Sequence, residues 1–227
     1  MMSNTIVLIM MTVTSACASG TSSRFSAHAT PPDSSSSSRV GLSTGLGVSY
    51  VRAIDIVDRI NGTGYTSERA SEFTSGAEFY GAVTIPLNKD WVAKLEYSYL
   101  VVGYNVATGG EFSASVHMPT VIAQYVLVDQ VTYNVKGGAG LGYHFGRYSE
   151  RYVTVDAMYD GSGVGFKIDF EANTAFGETF YGYLGGDARW DFIGELSDDQ
   201  NQTSTTGITP TLNFFSIGAK LGFTYYF

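Results

Sequence analysis

The chain has 227 residues, of which 44% are hydrophobic, 14% aromatic and 15% charged, with 27 glycines, 5 prolines, 1 cysteine and a formal net charge of -8. The charged share is well below the ~25% of an ordinary soluble domain, the acidic balance argues against a nucleic-acid binder, and the aromatic content excludes global disorder. Beyond the N-terminal segment, no run approaches the ~20 apolar residues of a membrane helix.

Residues 1–18 predict an export signal: an apolar stretch from Ile6 to Val13 precedes Ala16-Cys17-Ala18, an A-x-A cleavage pattern. Nothing before Ile6 is basic, and Cys17 also admits a lipoprotein reading, with acylation after Thr14-Ser15-Ala16. Cleavage after Ala18 leaves a cysteine-free chain, which suits an oxidising compartment. Residues 19–38 hold nine Ser and two Pro and predict a flexible tether.

From Arg39 onward the hydrophobic period is two, which predicts strands. The first runs from Val40 to Tyr50, with Val40, Leu42, Leu46 and Val48 against Gly41, Ser43, Gly45 and Gly47. Ala77 to Leu87 places Glu78, Tyr80 and Thr84 on its polar face, and Trp91 to Tyr99 opposes Trp91, Leu95 and Tyr97 to Lys94, Glu96 and Ser98. Val116 to Val128 fits either phase, and Pro119, which cannot donate to a ladder, predicts a bulge there. Val131 to Phe145 sets Tyr133, Leu141 and Tyr143 against Lys136, three glycines and His144. Val164 to Thr174 opposes Phe166, Ile168 and Phe170 to Lys167, Asp169 and Glu171. Phe180 to Phe192 separates Leu184, Ala188 and Trp190 from Asp187, Arg189 and Asp191. The last strand sets Phe215, Ile217, Leu221, Phe223 and Tyr225 against Ser216, Gly218, Lys220 and Thr224.

These eight strands alternate between tight connections, at 88–90, 129–130 and around Gly177-Glu178, and long ones, at about 54–75, 105–114, 146–163 and 196–209. The pattern is an up-and-down meander. A soluble barrel with an inward apolar face is the competing architecture. It fails on composition, because the faces opposite the charges are almost purely apolar and aromatic, and water does not tolerate such a surface on a monomer. Lipid requires it, and closure satisfies every backbone group in hydrocarbon. The fold class predicted is all-β: an eight-stranded antiparallel up-and-down transmembrane β-barrel over residues 39–227.

The chain resembles the small barrel-only outer-membrane proteins of Gram-negative bacteria, the OmpA/OmpX/opacity-protein-like group. The most specific residues are Gly222, Tyr225 and the terminal Phe227, which look like the signal read by the barrel-assembly machinery; Leu221 departs from the polar residue usual before the Gly. The resemblance implies an outer-membrane location, contact with outer-membrane lipid, periplasmic tight turns and extracellular loops, and it specifies no ligand.

Eight strands enclose a lumen that side chains can fill. Facing it are six acids, Glu78, Glu96, Asp169, Glu171, Asp187 and Asp191, and five bases, Lys94, Lys136, Lys167, Arg189 and Lys220, with His144. Near-balance predicts cross-lumen pairing, whereas a selective pore favours one sign. Subtracting that inward -1 leaves the loops, turns and tether acidic, which disfavours anionic ligands. For a rim hydrolase the candidates are His144 and His117, with Ser149, Glu150 and Asp156 above them, but no His-x-Ser motif occurs. The run Gly137 to Gly142 lies within a strand and so is no phosphate loop, and no residues have metal-ligand spacing. The sequence therefore predicts no catalytic site, cofactor or metal, and a monomer. Tyr65, Phe73, Tyr148, Tyr152 and Tyr159 are the aromatic contact candidates of the long loops for an extracellular ligand. A structural or surface-interaction protein is the leading expectation, ahead of a narrow channel for small or hydrophobic solutes and of a lipid A-modifying enzyme.

Overall fold

A computed structural model describes residues 39–62, 69–106, 110–152, 155–198 and 209–227. The export segment, the Ser-rich tract and Tyr65 lie outside the described residues, as does the Tyr152 side chain. Eight strands, β1 (Gly41–Arg52), β2 (Phe73–Pro86), β3 (Trp91–Val106), β4 (Gly110–Asp129), β5 (Tyr133–Tyr152), β6 (Val155–Ala175), β7 (Phe180–Glu195) and β8 (Thr211–Tyr226), pair antiparallel in sequence order. β1 closes the barrel on β8, from Gly41 opposite Tyr226 to Arg52 opposite Phe215. One helix, α1 (Ile54–Gly62), follows β1.

Closure depends on glycine at the β1–β8 seam. Gly45 lies opposite Gly222, and a Cβ on either would run into a backbone carbonyl of the other strand, Leu221 or Thr44. The seam is thus drawn tight at the glycine of the C-terminal sequence, while Tyr225 and Phe227 face outward and meet edge to face, ring centroids 5.0 Å apart.

Apart from two bulges, the strands alternate between an outer and an inner face. Leu46, Phe79, Leu95, Leu141, Phe170, Leu184 and Leu221 are exposed on the outer wall, and the charged residues between them are buried. Aromatic residues gather at both edges of this apolar band: Trp91, Tyr125, Tyr133, Phe180 and Tyr225 near the tight turns, and Tyr50, Phe73, Tyr143, Phe145 and Phe192 at the other edge. Such paired girdles are the mark of a bilayer-spanning barrel. β4 takes the phase with Val116, Met118, Thr120, Ile122 and Gln124 inward.

Two sequence expectations are corrected. Pro119 does not bulge: β4 keeps a constant register with β3 through Pro119 opposite Tyr97, and the shift against β5 comes between Val126 and Val128. Proline in an extended strand forfeits one donor without adding a residue. A second bulge, between Phe192 and Gly194 of β7, is built on the positive φ of 78° at Gly194.

The predicted long connections at 105–114 and 146–163 are also mostly strand. β3 and β4 pair up to Val106 opposite Gly110, and β5 and β6 up to Tyr152 opposite Val155. β4, β5 and β6 reach 20, 20 and 21 residues, about twice the ~9–11 needed to cross a bilayer. The excess forms a wall standing beyond the girdle opposite the tight turns. In this wall the polarity inverts: Phe112, Ala114, Tyr148 and Tyr159 are buried inside, while Glu111, Arg147, Arg151 and Asp156 face out. The same alternation serves both halves, with the solvent outside changing from lipid to water.

Candidate functional site: a two-storey sealed lumen

The membrane storey is filled by ion pairs whose side chains are at most 4% exposed. Lys220 Nζ reaches Glu96 Oε1 at 2.8 Å, Glu78 Oε1 at 2.9 Å and Asp187 Oδ2 at 3.1 Å. The Arg189 guanidinium donates to Glu78 Oε2 at 2.7 Å and Asp187 Oδ1 at 2.9 Å. Lys94 Nζ lies 2.8 Å from Glu171 and 3.2 Å from both Asp169 and Glu96, and Lys136 Nζ lies 2.9 Å from Glu171. Lys167 pairs with Glu96 and lies 3.5 Å from Asp187. These partners come from β2, β3, β5, β6, β7 and β8, and several pairs, Lys220 with Glu96, Arg189 with Glu78 and Lys94 with Glu171 among them, tie strands that are not neighbours in the sheet. Gln124 Nε2 and Ser49 Oγ donate to Asp169 and Glu78, each at 2.7 Å. Inward glycines give room: a Cβ at Gly142 or Gly165 would strike the His144 ring.

His144 bonds Asp191 through Nδ1 and Thr120 Oγ1 through Nε2, the latter at 3.2 Å. The order carboxylate, imidazole, hydroxyl matches that of a hydrolase triad, but His144 is 0% exposed. The other candidates are dispersed. His117 faces outward and bonds Tyr97 OH at 2.6 Å; Ser149 and Asp156 point outward, and Glu150 points inward. Among the described residues, no group of three His, Cys, Asp or Glu side chains is placed to hold a metal.

The upper storey is apolar. Val102, Phe112, Val116, Met118, Ile193 and Leu212 form part of a core, and α1 lies across its mouth with Ile56, Val57 and Ile60 all but fully buried. The helix is amphipathic, with exposed Asp55 and Asp58 opposite the buried face. Asp55 in its first turn and Arg59 in its last complement the helix dipole.

A buried latch holds it. Arg59 pairs with Glu150 of β5, its second contact to that carboxylate being 3.2 Å, and its Nη2 lies 3.3 Å from Tyr159 OH. The guanidinium carbon sits 5.3 Å above the Tyr159 ring, which stacks on Tyr148 at 6.3 Å. Burial raises the Tyr148 phenol far above its ordinary range, reinforced by the Glu150 charge. Burial alone would lower the Arg59 pKa, but hydrogen bonding and attraction to Glu150 raise it. Asn213 Nδ2 donates to Asp55 at 3.3 Å, and Asn61 Oδ1 accepts from the Ala70 amide at 2.7 Å.

Tyr148 and Tyr159 are therefore not exposed loop contacts: they are 0% and 2% exposed and form the latch wall, because the strands carrying them continue past the membrane. Phe73 is half-exposed but opens β2 at the girdle, stacked on Tyr50 at 4.9 Å. The sequence reading also missed α1, whose apolar Ile56, Val57 and Ile60 at helical spacing within a polar connection were the available signal.

Neither a family model nor a curated protein matches the sequence. Solved structures that are similar include Neisserial surface protein A, at 14% identity and a TM-score of 0.48 over 83% of this chain and 97% of that one. Ail, the attachment invasion locus protein of Yersinia pestis, in complex with the heparin analogue sucrose octasulfate, aligns at 10% identity and 0.49 over 83% and 99%. OprG of Pseudomonas aeruginosa aligns at 11% and 0.46 over 84% and 96%. The strand count, closed meander, charged interior and lipid-facing band with its two girdles give this chain the fold of the small eight-stranded outer-membrane β-barrels.

Proposed function

We propose that the protein is a non-conducting surface barrel of the bacterial outer membrane, with tight turns in the periplasm and the α1 end outside the cell, acting as a structural or surface-interaction protein. The carrying observation is double closure: an ion-paired lumen in the membrane and, above it, an apolar core sealed by α1. A pore needs a continuous wet path, and both storeys oppose one. The water-facing rim, where Asp55, Asp58, Glu111 and Asp156 are exposed, supports binding outside rather than passage within.

Planar-bilayer recordings of the refolded protein are expected to show no stable unitary currents; reproducible currents would overturn the sealed reading in favour of a narrow channel. Orientation has its own test. With Cys17 replaced, Asp156→Cys should react with a membrane-impermeant maleimide on intact cells, and Asp90→Cys, in the turn after β2, should react only after lysis. The reverse order would invert the topology.

A further inference from the structure

The outer wall carries a recess that neither the sealed lumen nor the rim explains. Within the apolar band, a groove of about 370 Å³ is lined by Leu46, Phe79, Gly81, Tyr97 and Tyr99. Gly81 makes the dent: a Cβ there would meet only Ser43 O at 3.9 Å, so a side chain would fit, yet none is present. Tyr99 also lines a second cleft of about 460 Å³ directly above, at the outer girdle, with Ser115, His117, Phe145, Arg147, Asp160 and Ser162. The ladders join the two: Thr44, Gly81 and Tyr97 lie side by side on β1, β2 and β3, and Tyr99, His117, Phe145 and Ser162 continue across β3 to β6. The Tyr97 OH to His117 bond, 2.6 Å, spans the junction.

We propose that this joined recess is a binding site for a lipid with a saccharide headgroup, its chain in the groove and its sugar in the cleft. The inference rests on the bilayer-spanning reading. The groove opens into hydrocarbon, so its occupant must come from the bilayer. The step from an apolar to a polar lining at girdle height matches the step from chain to headgroup in a lipid.

The cleft chemistry selects the headgroup. Arg147 and Asp160 form a planar two-point pair, 2.6 and 3.2 Å, on the outer surface. Asp160 would repel a phosphate, whereas sugar hydroxyls both donate and accept and can address a carboxylate, a guanidinium, an imidazole and two serines together. Tyr99 and Phe145 supply apolar ring surface for the sugar's C–H face. Few precisely placed polar groups on an otherwise apolar wall are the usual form of a ligand site.

The test is native mass spectrometry of the full-length mature barrel in phosphatidylcholine nanodiscs doped with either a diglycosyl diacylglycerol or phosphatidylglycerol of the same chains. The wild type should retain the glycosyl lipid in preference to phosphatidylglycerol. Gly81→Leu, which fills the groove without disturbing the ladder, should abolish retention. Asp160→Ala should weaken it roughly tenfold, the loss of about one charge-assisted hydrogen bond, and shift preference toward phosphatidylglycerol. Equal retention of both lipids, preference for phosphatidylglycerol, or retention unchanged in both variants would overturn the site. A chain that fails to enter the bilayer at all would overturn the membrane reading and the site with it, whereas a folded barrel without selective retention overturns the site alone.

Discussion

Replacing Lys220 by alanine should destabilise the barrel by about 3–5 kcal/mol, the range for removing one partner of a buried ion pair. Its ammonium group lies within 3.1 Å of three carboxylates on β2, β3 and β7, none of which has bulk water to turn to. Arg189 still covers Glu78 and Asp187, and Lys167 still covers Glu96, so the network loses charge balance without leaving any acid wholly bare. That residual cover keeps the loss within the range for a single pair, even though three contacts disappear. Lys220→Met, which retains most of the volume, should cost nearly as much, because the missing quantity is charge. Arg52→Ala, at an exposed pair 3.2 Å from Glu72, should cost no more than about 1 kcal/mol. Urea unfolding of the refolded protein in lipid vesicles measures all three. Changes below about 1 kcal/mol for both Lys220 variants would mean that the lumen is hydrated.

Glu150→Ala should release α1 while leaving the barrel folded. The substitution removes the carboxylate that faces the Arg59 guanidinium in a wall where it is 7% exposed, a cost of about 3–5 kcal/mol if the charge stayed in place. It need not stay. A nine-residue helix can swing away from the mouth, so the penalty is limited to the free energy of local opening. That opening would expose Ile56, Val57 and Ile60. Hydrogen exchange should therefore show loss of protection confined to 54–62, with the strand amides unchanged. The variant should also remain non-conducting, because the ion-paired storey below is independent of the helix. Loss of protection throughout β5 would show instead that the latch holds the wall itself, and currents from this variant would make α1 the only seal.

Arg59 and Glu150 also mark where sequence reasoning stops. The membrane storey was legible because lipid imposes a one-sided rule on every residue pair: Lys94, Asp169, Asp187 and Lys220 each stand between apolar neighbours, and period two is a local property. Above the girdle the rule reverses. Arg147 follows Phe145 on the same outer face of β5, so the strand reads as having ended, and Tyr148 reads as a loop aromatic when it lies in a core. The bulge was misplaced for a related reason: Pro119 removes a donor, but where an extra residue is accommodated depends on the register of both neighbouring strands.

The sequence by itself determined the strand count, the up-and-down order, which face meets lipid and which charges turn inward, because alternation and polarity are written residue by residue. Only the tertiary structure decided that Lys220 spans to Glu96 across the lumen, that β4 to β6 extend into water with inverted polarity, that α1 closes the mouth, and that Tyr99 lines two neighbouring clefts on the outer wall. Each of these depends on the shear of a closed sheet and on distances between residues far apart in the chain, and no local pattern encodes them.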